Sequence, residues 1–239
     1  MQSLNLRYGA PMRFLFSLFT ALSPIPALAQ DARPFASFDL ASEAVLADPH
    51  DLEIGPDGRL YVADKFGAQI AVFDPETLEL IEMLGEGFLP GVHDISFGPD
   101  GRIAVAVTGM SAVALYDGVE ALDAPPDSGL RAPSTEGALI HSNGDIYATA
   151  GGTGEVFRFG DDTVKAIAGG HPGAHDVEEA PDGSVWVADN FNQRLVRYSE
   201  DLEQLQVLDD PKFGFRGPRY LDVTEFGHLV VADQDAHRI

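Results

Sequence analysis

The sequence has 239 residues, with 38 Asp and Glu, 15 Lys and Arg, no cysteine and a formal net charge of −23. A hydrophobic fraction of 45% with 22% charged residues is typical of a globular protein rather than a disordered one. The lack of cysteine excludes disulfides, thiolate metal sites and cysteine nucleophiles. The acidic balance argues against partners such as nucleic acid and anionic membrane surfaces.

The first 29 residues have the features of a secretory signal peptide. Arg13 precedes an apolar run over residues 14–22, and Ala27-Leu28-Ala29 offers a small-residue cleavage site. The run is too short to remain as a membrane span. We therefore expect cleavage after Ala29, a mature domain over residues 30–239 with no membrane insertion, and a periplasmic or secreted location.

The rest of the chain repeats one pattern five times. Five related turns mark it: Pro56-Asp57-Gly58, Pro99-Asp100-Gly101, Ser142-Asn143-Gly144, Pro181-Asp182-Gly183 and Glu225-Phe226-Gly227. Their glycines are 43, 43, 39 and 44 residues apart. Each turn joins two short alternating segments and two more segments follow, which predicts four strands per repeat. The repeats lie near residues 48–91, 92–134, 135–173, 174–217 and, incomplete, 218–239.

Four strands in every repeat of this length predict an all-β fold, a β-propeller with one four-stranded blade per repeat. The Pro-rich segment 124–133 is interpreted as a surface loop between the second and third blades. The last copy stops at Ile239, where a third strand begins, whereas residues 35–39 and 44–47 resemble third and fourth strands. Either residues 35–47 complete a five-bladed ring, or the ring is six-bladed and the chain is a fragment, which we favour because of the sheet edge otherwise left open.

Two phrases resemble the NHL-repeat β-propellers. They are Pro49-His50-Asp51 followed by Pro56–Asp64, and Pro181–Asn190. The segment from Arg219 to Ile239 is similar, so the resemblance covers roughly residues 48–239. It implies a propeller, commonly six-bladed, and leaves the function open because this fold carries both enzymes and binding modules.

Aligning the repeats reveals one position, eight residues before each turn glycine, that is rich in metal-ligand types. It is occupied in turn by His50, His93, Glu136, His175 and Arg219. The first strand of each blade lines the central channel, so we expect the histidines and Glu136 to converge. Three imidazoles and a carboxylate suit zinc with an open position for water or substrate. The alternative is that these residues only hydrogen-bond to the local backbone.

The next position in each repeat is also polar in most copies. It is occupied by Asp51, Asp94, Gly137, Asp176 and Tyr220. The three aspartates are predicted to fix the histidine tautomers or to hold calcium, while Arg219 and Tyr220 are predicted ligand contacts. His141, His171, His228 and His237 are interpreted as surface residues. Asp64, Asp189 and Asp233, which end second strands, are interpreted as Asx-type turns.

The Pro-His-Asp phrase also resembles the peptidylamidoglycolate lyases, which are NHL propellers with zinc held by channel histidines and with a structural calcium. The resemblance implies cleavage of a peptidyl-α-hydroxyglycine to a peptide amide and glyoxylate. It implies metal ligation by His93 and His175 of alternate blades together with a residue of a sixth blade beyond this sequence, in which case His50 is not a ligand. The tyrosine that these lyases carry after the second strand is replaced here by Phe66 and Phe191. Their catalytic arginine has no clear counterpart, since Lys65 and Arg194 are merely cations in the vicinity.

Two functions from different classes follow from the sequence. The first is an exported propeller that binds a small molecule, peptide or protein partner without chemistry. The second is a zinc-dependent propeller lyase with histidine ligands at the channel mouth. The aligned histidines favour the second and the absent tyrosine favours the first, which we rank slightly ahead. A calcium-dependent lactonase ranks third because its ligand set has no clear match.

Overall fold

The computed structural model describes residues 40–224 and 226–239, which are almost entirely β-structure. The signal-peptide prediction for residues 1–29 and the strand prediction for residues 35–39 lie outside this range. In the described part, helical structure is limited to short 3-10 turns at Thr108–Met110, Val119–Ala121 and Gln234–Ala236. No helix there is long and apolar enough to cross a membrane.

The strands form four four-stranded antiparallel sheets and one two-stranded sheet in the described residues. The first sheet contains β1 (Pro49–Ile54), β2 (Leu60–Asp64), β3 (Gln69–Phe73) and β4 (Leu80–Leu84). The second contains β5 (Val92–Phe97), β6 (Ile103–Val107), β7 (Ala112–Tyr116) and β8 (Ser128–Arg131). The third contains β9 (Thr135–Ile140), β10 (Ile146–Ala150), β11 (Glu155–Gly160) and β12 (Thr163–Gly169). The fourth contains β13 (Ala174–Glu179), β14 (Val185–Asp189), β15 (Arg194–Tyr198) and β16 (Gln204–Leu208), and the fifth contains β17 (Pro218–Val223) and β18 (Leu229–Asp233).

The five sheets are arranged as the blades of a β-propeller. The first strand of each sheet contacts the first strand of the next, in the order β1, β5, β9, β13, β17. The phenol oxygen of Tyr220 on β17 lies 2.7 Å from Nδ1 of His50 on β1, so the fifth sheet meets the first beside the axis. The predicted all-β propeller of four-stranded blades is therefore confirmed, while the choice between five and six blades stays a prediction.

Successive blades pack face to face, and this packing forms the core. Blades that follow one another along the chain share one apolar cluster in each case, as Tyr61, Ile95 and Val105 show between the first two blades. Burying one large apolar side chain contributes roughly 1.5–3 kcal/mol, and a sheet that is covered on both faces gains this twice. The stacking therefore stabilises the ring and fixes where the first strands point.

Two regions differ from the sequence-based expectations. The prediction of a surface loop over residues 124–133 is wrong in part, because Ser128–Arg131 is the outer strand β8 and Leu130 is buried in the core. Its short Ser-Gly-Leu-Arg sequence gives too little alternation to indicate a strand. Residues 40–47 contain no strand, and Leu46 packs on the outer face of the first blade beside Val62 and Phe73.

Candidate metal centre

The repeat position eight residues before each turn glycine lies on a β-bulge in every blade. The bulge sets the direction of the side chain at this position. The register between the first and second strands shifts at His50, His93, His175 and Arg219, and also across Glu136. A bulge inserts an unpaired residue and re-aims its side chain, which is why bulges are common beside active sites. Five equivalent bulges around one axis therefore point five side chains at the same end of the channel.

Three imidazoles meet at this end; we call His50, His93 and His175 the histidine cluster. The ring centroids of His50 and His93 are 4.2 Å apart, and those of His93 and His175 are 4.8 Å apart. One ligand nitrogen from each ring lies within 4.8 Å of the other two. Zn–N bonds of 2.0–2.1 Å place tetrahedral ligand nitrogens about 3.3 Å apart, so a shift of about 1.5 Å would close the cluster on an ion.

The histidine cluster is uncharged, and two of its three rings are buried, while His50 is half-buried. His93 and His175 are 1% and 3% exposed, and Nδ1 of each is buried without a hydrogen-bond partner in the described residues. Burial, followed by the charges of His50 and Lys65, lowers the pKa of His93 to about 3. Burial also lowers the pKa of His50 and lowers that of His175 well below its usual value. Neutral imidazoles with unused ring nitrogens are what a metal ion requires.

Glu136, Arg219 and Tyr220 all lie against the histidine cluster. An oxygen of Glu136 is 3.3 Å from Nε2 of His175, and Nη1 of Arg219 is 3.4 Å from the same nitrogen. The phenol of Tyr220 contacts Nδ1 of His50, and its ring packs edge-on against His175 at 4.7 Å. The fourth ligand candidate and both predicted ligand contacts are thus within reach of the cluster.

The aspartates one residue further along hold the blades together; we call Asp51, Asp94 and Asp176 the aspartate layer. Each accepts a backbone N–H from the first strand of the next blade: Ile95 at 3.3 Å, Ala138 at 2.8 Å and Leu221 at 2.6 Å. We predicted that these aspartates would orient the imidazoles, but their hydrogen bonds run between blades. The reason is that successive side chains of a strand point to opposite faces. Calcium binding by them stays a prediction.

Besides Glu136, the carboxylate that contacts a cluster imidazole is Asp48, whose Oδ2 lies 3.0 Å from Nε2 of His50. Repeat alignment could not find Asp48, because the equivalent positions hold Gly91, Ser134, Gly173 and Gly217. Its proximity to His50 in sequence was the one available signal. Asp48 thus has the orienting role toward His50 that the sequence analysis assigned to Asp51.

Several other histidines and aspartates have roles that differ from expectation. His141 and His171 are each 1% exposed, so their assignment to the surface is wrong, whereas His228 and His237 are exposed. His171 lies between Asp189, 2.9 Å away, and the hydroxyl of Tyr198 at 2.5 Å. This pairing satisfies both ring nitrogens of His171, so the ring is a buried structural group.

The strand-ending aspartates bind the loop that enters their own blade. Asp64 accepts the N–H groups of Ala47 and Asp48, at 3.0 and 2.6 Å. Asp233 accepts those of Arg216 and Gly217. The Asx-turn interpretation is wrong here, since the partners lie some 16 residues earlier rather than two residues later.

Below the aspartate layer the channel is acidic. A cavity of about 370 Å³ is lined by first-strand residues, including Asp51, Glu53, Glu178 and Asp222. Burial, aided by the charge of Asp51, raises the pKa of Glu53 to about 8. Burial and the Asp51 charge also raise the pKa of Asp176 to about 7. The channel therefore has imidazoles at one level and carboxyl groups at the next.

Comparisons with known proteins give the class of the fold. No protein-family model and no curated protein matches the sequence. Among solved structures, a virginiamycin B lyase from Staphylococcus aureus is similar over 78% of this chain and 63% of its own, with TM-score 0.59 and 14% identity. A streptogramin B lyase matches over 77% and 62%, with TM-score 0.64 and 14% identity.

A periplasmic gluconolactonase from Pseudomonas aeruginosa matches over 80% of this chain and 64% of its own, with TM-score 0.61 and 17% identity. At such identities the likeness concerns the fold alone, and it defines this chain as a β-propeller protein. The chain spans less than two thirds of the length of each of these three structures.

Proposed function

We propose that this protein is a metal-dependent propeller enzyme of the lyase type, with a divalent transition-metal ion held by the histidine cluster. The observation that carries the proposal is the convergence of three neutral imidazoles, two with unpartnered buried nitrogens, on bulges from three blades. An unpaired buried polar atom costs free energy, and a bound metal ion would satisfy these atoms. Imidazole nitrogen with one nearby carboxylate favours zinc.

The residues around the histidine cluster suit a reaction at such an ion. Glu136 lies beside His175 as a fourth ligand or as a base. The phenol oxygen of Tyr220 lies 2.7 Å from Nδ1 of His50. We propose that Tyr220 supplies the hydroxyl that Phe66 and Phe191 lack. A bound ion would polarise a substrate oxygen or lower the pKa of bound water.

The proposal also covers features that the sequence predicts. We propose an NHL-type propeller over residues 30–239 that is exported to the periplasm or secreted after removal of residues 1–29. N-terminal sequencing of the soluble product tests this, and a retained residue 1 or 12 would contradict it.

Metal binding is tested by elemental analysis. Chelator-stripped protein is reloaded with zinc, and the wild type is compared with His93→Ala and His175→Ala. The exposed His228 provides the matched control, His228→Ala. We expect stoichiometric zinc in the wild type and the control and loss in both cluster variants. Equal, sub-stoichiometric zinc in all four proteins would overturn the proposal.

The lyase assignment needs its own measurement. Glyoxylate release from a peptidyl-α-hydroxyglycine is assayed with zinc-loaded wild type and with His93→Ala. Release by the wild type alone supports a lyase, and no release by a protein that retains zinc would remove this assignment and leave a metal site.

A binding module without chemistry is the second candidate. One observation favours it: Tyr220 and Arg219 already contact ring nitrogens of His50 and His175, which gives these imidazoles partners within the protein itself. If zinc does not bind, the same mouth is a polar recognition surface for a small molecule or peptide.

A further inference from the structure

Arg219 is unusual among the cations of this acidic chain. Most described lysines and arginines lie within 4.0 Å of a carboxylate, as Arg158 does with Asp145 and Arg238 with Asp233. Arg219 forms no such ion pair within the described residues, and its Nε is buried without a hydrogen-bond partner. Its side chain contacts the neutral imidazole of His175, whose Nε2 lies 3.4 Å from Nη1.

The contact with His175 is weak and replaceable. A guanidinium only donates hydrogen bonds, so it must use the lone pair on Nε2 of His175. If the unpartnered Nδ1 of His175 ligates a metal ion, the proton of the neutral imidazole lies on Nε2, which then donates instead of accepting. Metal ligation would therefore leave both Nη1 and the buried Nε of Arg219 without an acceptor in the described residues.

A second cation lies on the same side of the ring. Lys65 directly follows β2, and its backbone N–H binds the carbonyl of Asp48, which places it beside His50. Lys65 likewise forms no ion pair in the described part of the chain. The charges of Lys65 and Arg219 both lower the pKa of all three cluster histidines, in agreement with a location facing them.

The mouth also has an apolar rim. Phe66 and Phe191, in equivalent loops of the first and fourth blades, are 76% and 70% exposed. Phe191 packs over Gly173, where an added Cβ would come within 2.8 Å of the aromatic ring, so this phenylalanine is held close to the entry strand of the His175 blade. Both loops follow the second strand of their blades, so they lie at the same end of the blades as the bulges that carry the histidine cluster.

We infer that Arg219, assisted by Lys65, binds an anionic group, a carboxylate, on the substrate of the histidine cluster, with the apolar remainder of the substrate at Phe66 and Phe191. A planar guanidinium with free donors matches a carboxylate in geometry and charge. The inference rests on the proposed function for its place beside a metal ion. It concerns binding and requires no covalent step.

The test compares two probes of nearly the same shape by titration calorimetry: phenylacetate, which is anionic, and phenylacetamide, which is neutral. With zinc-loaded protein we expect phenylacetate to bind at least about tenfold more tightly than the amide, as a charge-assisted hydrogen bond allows. Arg219→Gln should remove this preference while zinc content stays unchanged. Arg219→Lys, which keeps the charge without the fork, should retain part of it.

Arg131→Gln is the matched control, because Arg131 is an exposed arginine on β8, away from the mouth. Its preference should equal that of the wild type. Equal binding of the two probes would overturn the inference. The inference would also be overturned if the Arg219→Gln variant still bound phenylacetate more tightly than phenylacetamide, since the carboxylate would then bind to zinc or elsewhere. Repeating the titration on chelator-treated protein separates the two ideas: an Arg219-dependent preference without zinc supports the anion site even if the metal proposal fails.

Discussion

The histidine cluster and the aspartate layer are neighbours in sequence and differ completely in use. His93 has an unpartnered buried nitrogen, while Oδ2 of Asp94 accepts a hydrogen bond from the N–H of Ala138 in the next blade. One step along a strand moves a side chain from the channel mouth to the joint between blades. The same repeat therefore places one residue for ligand chemistry and the next for assembly of the ring.

The third blade supports this division of roles. It has Gly137 where three other blades have aspartate, and the hydroxyl of Thr149 there bonds to the carbonyl of His175, at 2.9 Å. A Cβ on Gly137 would lie 2.7 Å from the same carbonyl, so no side chain fits. The joint between blades is preserved by a different residue, as expected for a structural requirement.

The largest expected difference is in zinc affinity. His175→Ala should weaken it by more than about 100-fold, the upper end of what loss of an outer-shell partner costs, because a ligand itself is removed. Asp176→Asn should change it by less than about tenfold. Competition with a chromogenic chelator measures both. Similar losses in the two variants would show that the layers are not distinct.

For the stability of the fold, in contrast to zinc affinity, we expect the aspartate layer to matter more than the histidine cluster. Asp94→Ala leaves the buried N–H of Ala138 without an acceptor and should lower the free energy of unfolding by about 1–3 kcal/mol. Asp94→Asn keeps a carbonyl acceptor of the same shape and should cost clearly less. Urea denaturation reads out both, and equal stability of the Ala variant and the wild type would contradict the role of the aspartate layer as a joint.

The aspartate layer and the histidine cluster should change the free energy of unfolding in opposite directions as the pH falls. The pKa of Asp176 is raised to about 7, so between about pH 4 and 7 the folded protein holds a proton that the unfolded chain releases. This group's stabilisation is present at low pH and is lost as the pH rises towards 7. Asp176→Asn should therefore flatten that part of the curve.

The histidine cluster acts the other way. The pKa of His93 is lowered to about 3, so between about pH 6.5 and 3 the unfolded chain takes up a proton that the folded protein refuses. This group destabilises the fold as the pH falls, and His93→Gln should relieve the loss. Thermal melts from pH 4 to 8 test both variants, and parallel curves for wild type and variants would refute the assignment.

The smallest effect is expected where the two layers touch, at Tyr220. Tyr220→Phe removes the hydroxyl contact with His50 and keeps the ring against His175. One hydrogen bond contributes about 0.5–1.5 kcal/mol, so the free energy of unfolding should fall by no more than this. Zinc affinity should stay the same or rise, because Nδ1 of His50 loses a competing donor. A strong loss of zinc would instead make the hydroxyl a ligand.

The period of the repeat was enough to predict the blades and the shared register of His50, His93 and His175. Strand order within a blade follows from short hairpins, and these have local sequence signals such as Pro-Asp-Gly, whose glycines adopt φ of +79° to +89°. The weak strand β8 was missed because Ser-Gly-Leu-Arg has no such signal. It forms because packing on its neighbour overrides propensity.

The sequence by itself determined the number of strands per repeat and which residue types occupy the channel end of each first strand, since both are local and periodic. Only the tertiary structure decided what each residue contacts. The bulges turn His50 and Arg219 inward, the next residues turn to the adjoining blade, and Asp48 and Tyr220 reach the same imidazole from opposite ends of the chain. The contact between Tyr220 and His50, which are 170 positions apart, is set by the packing of the blades around the axis, which no local pattern encodes.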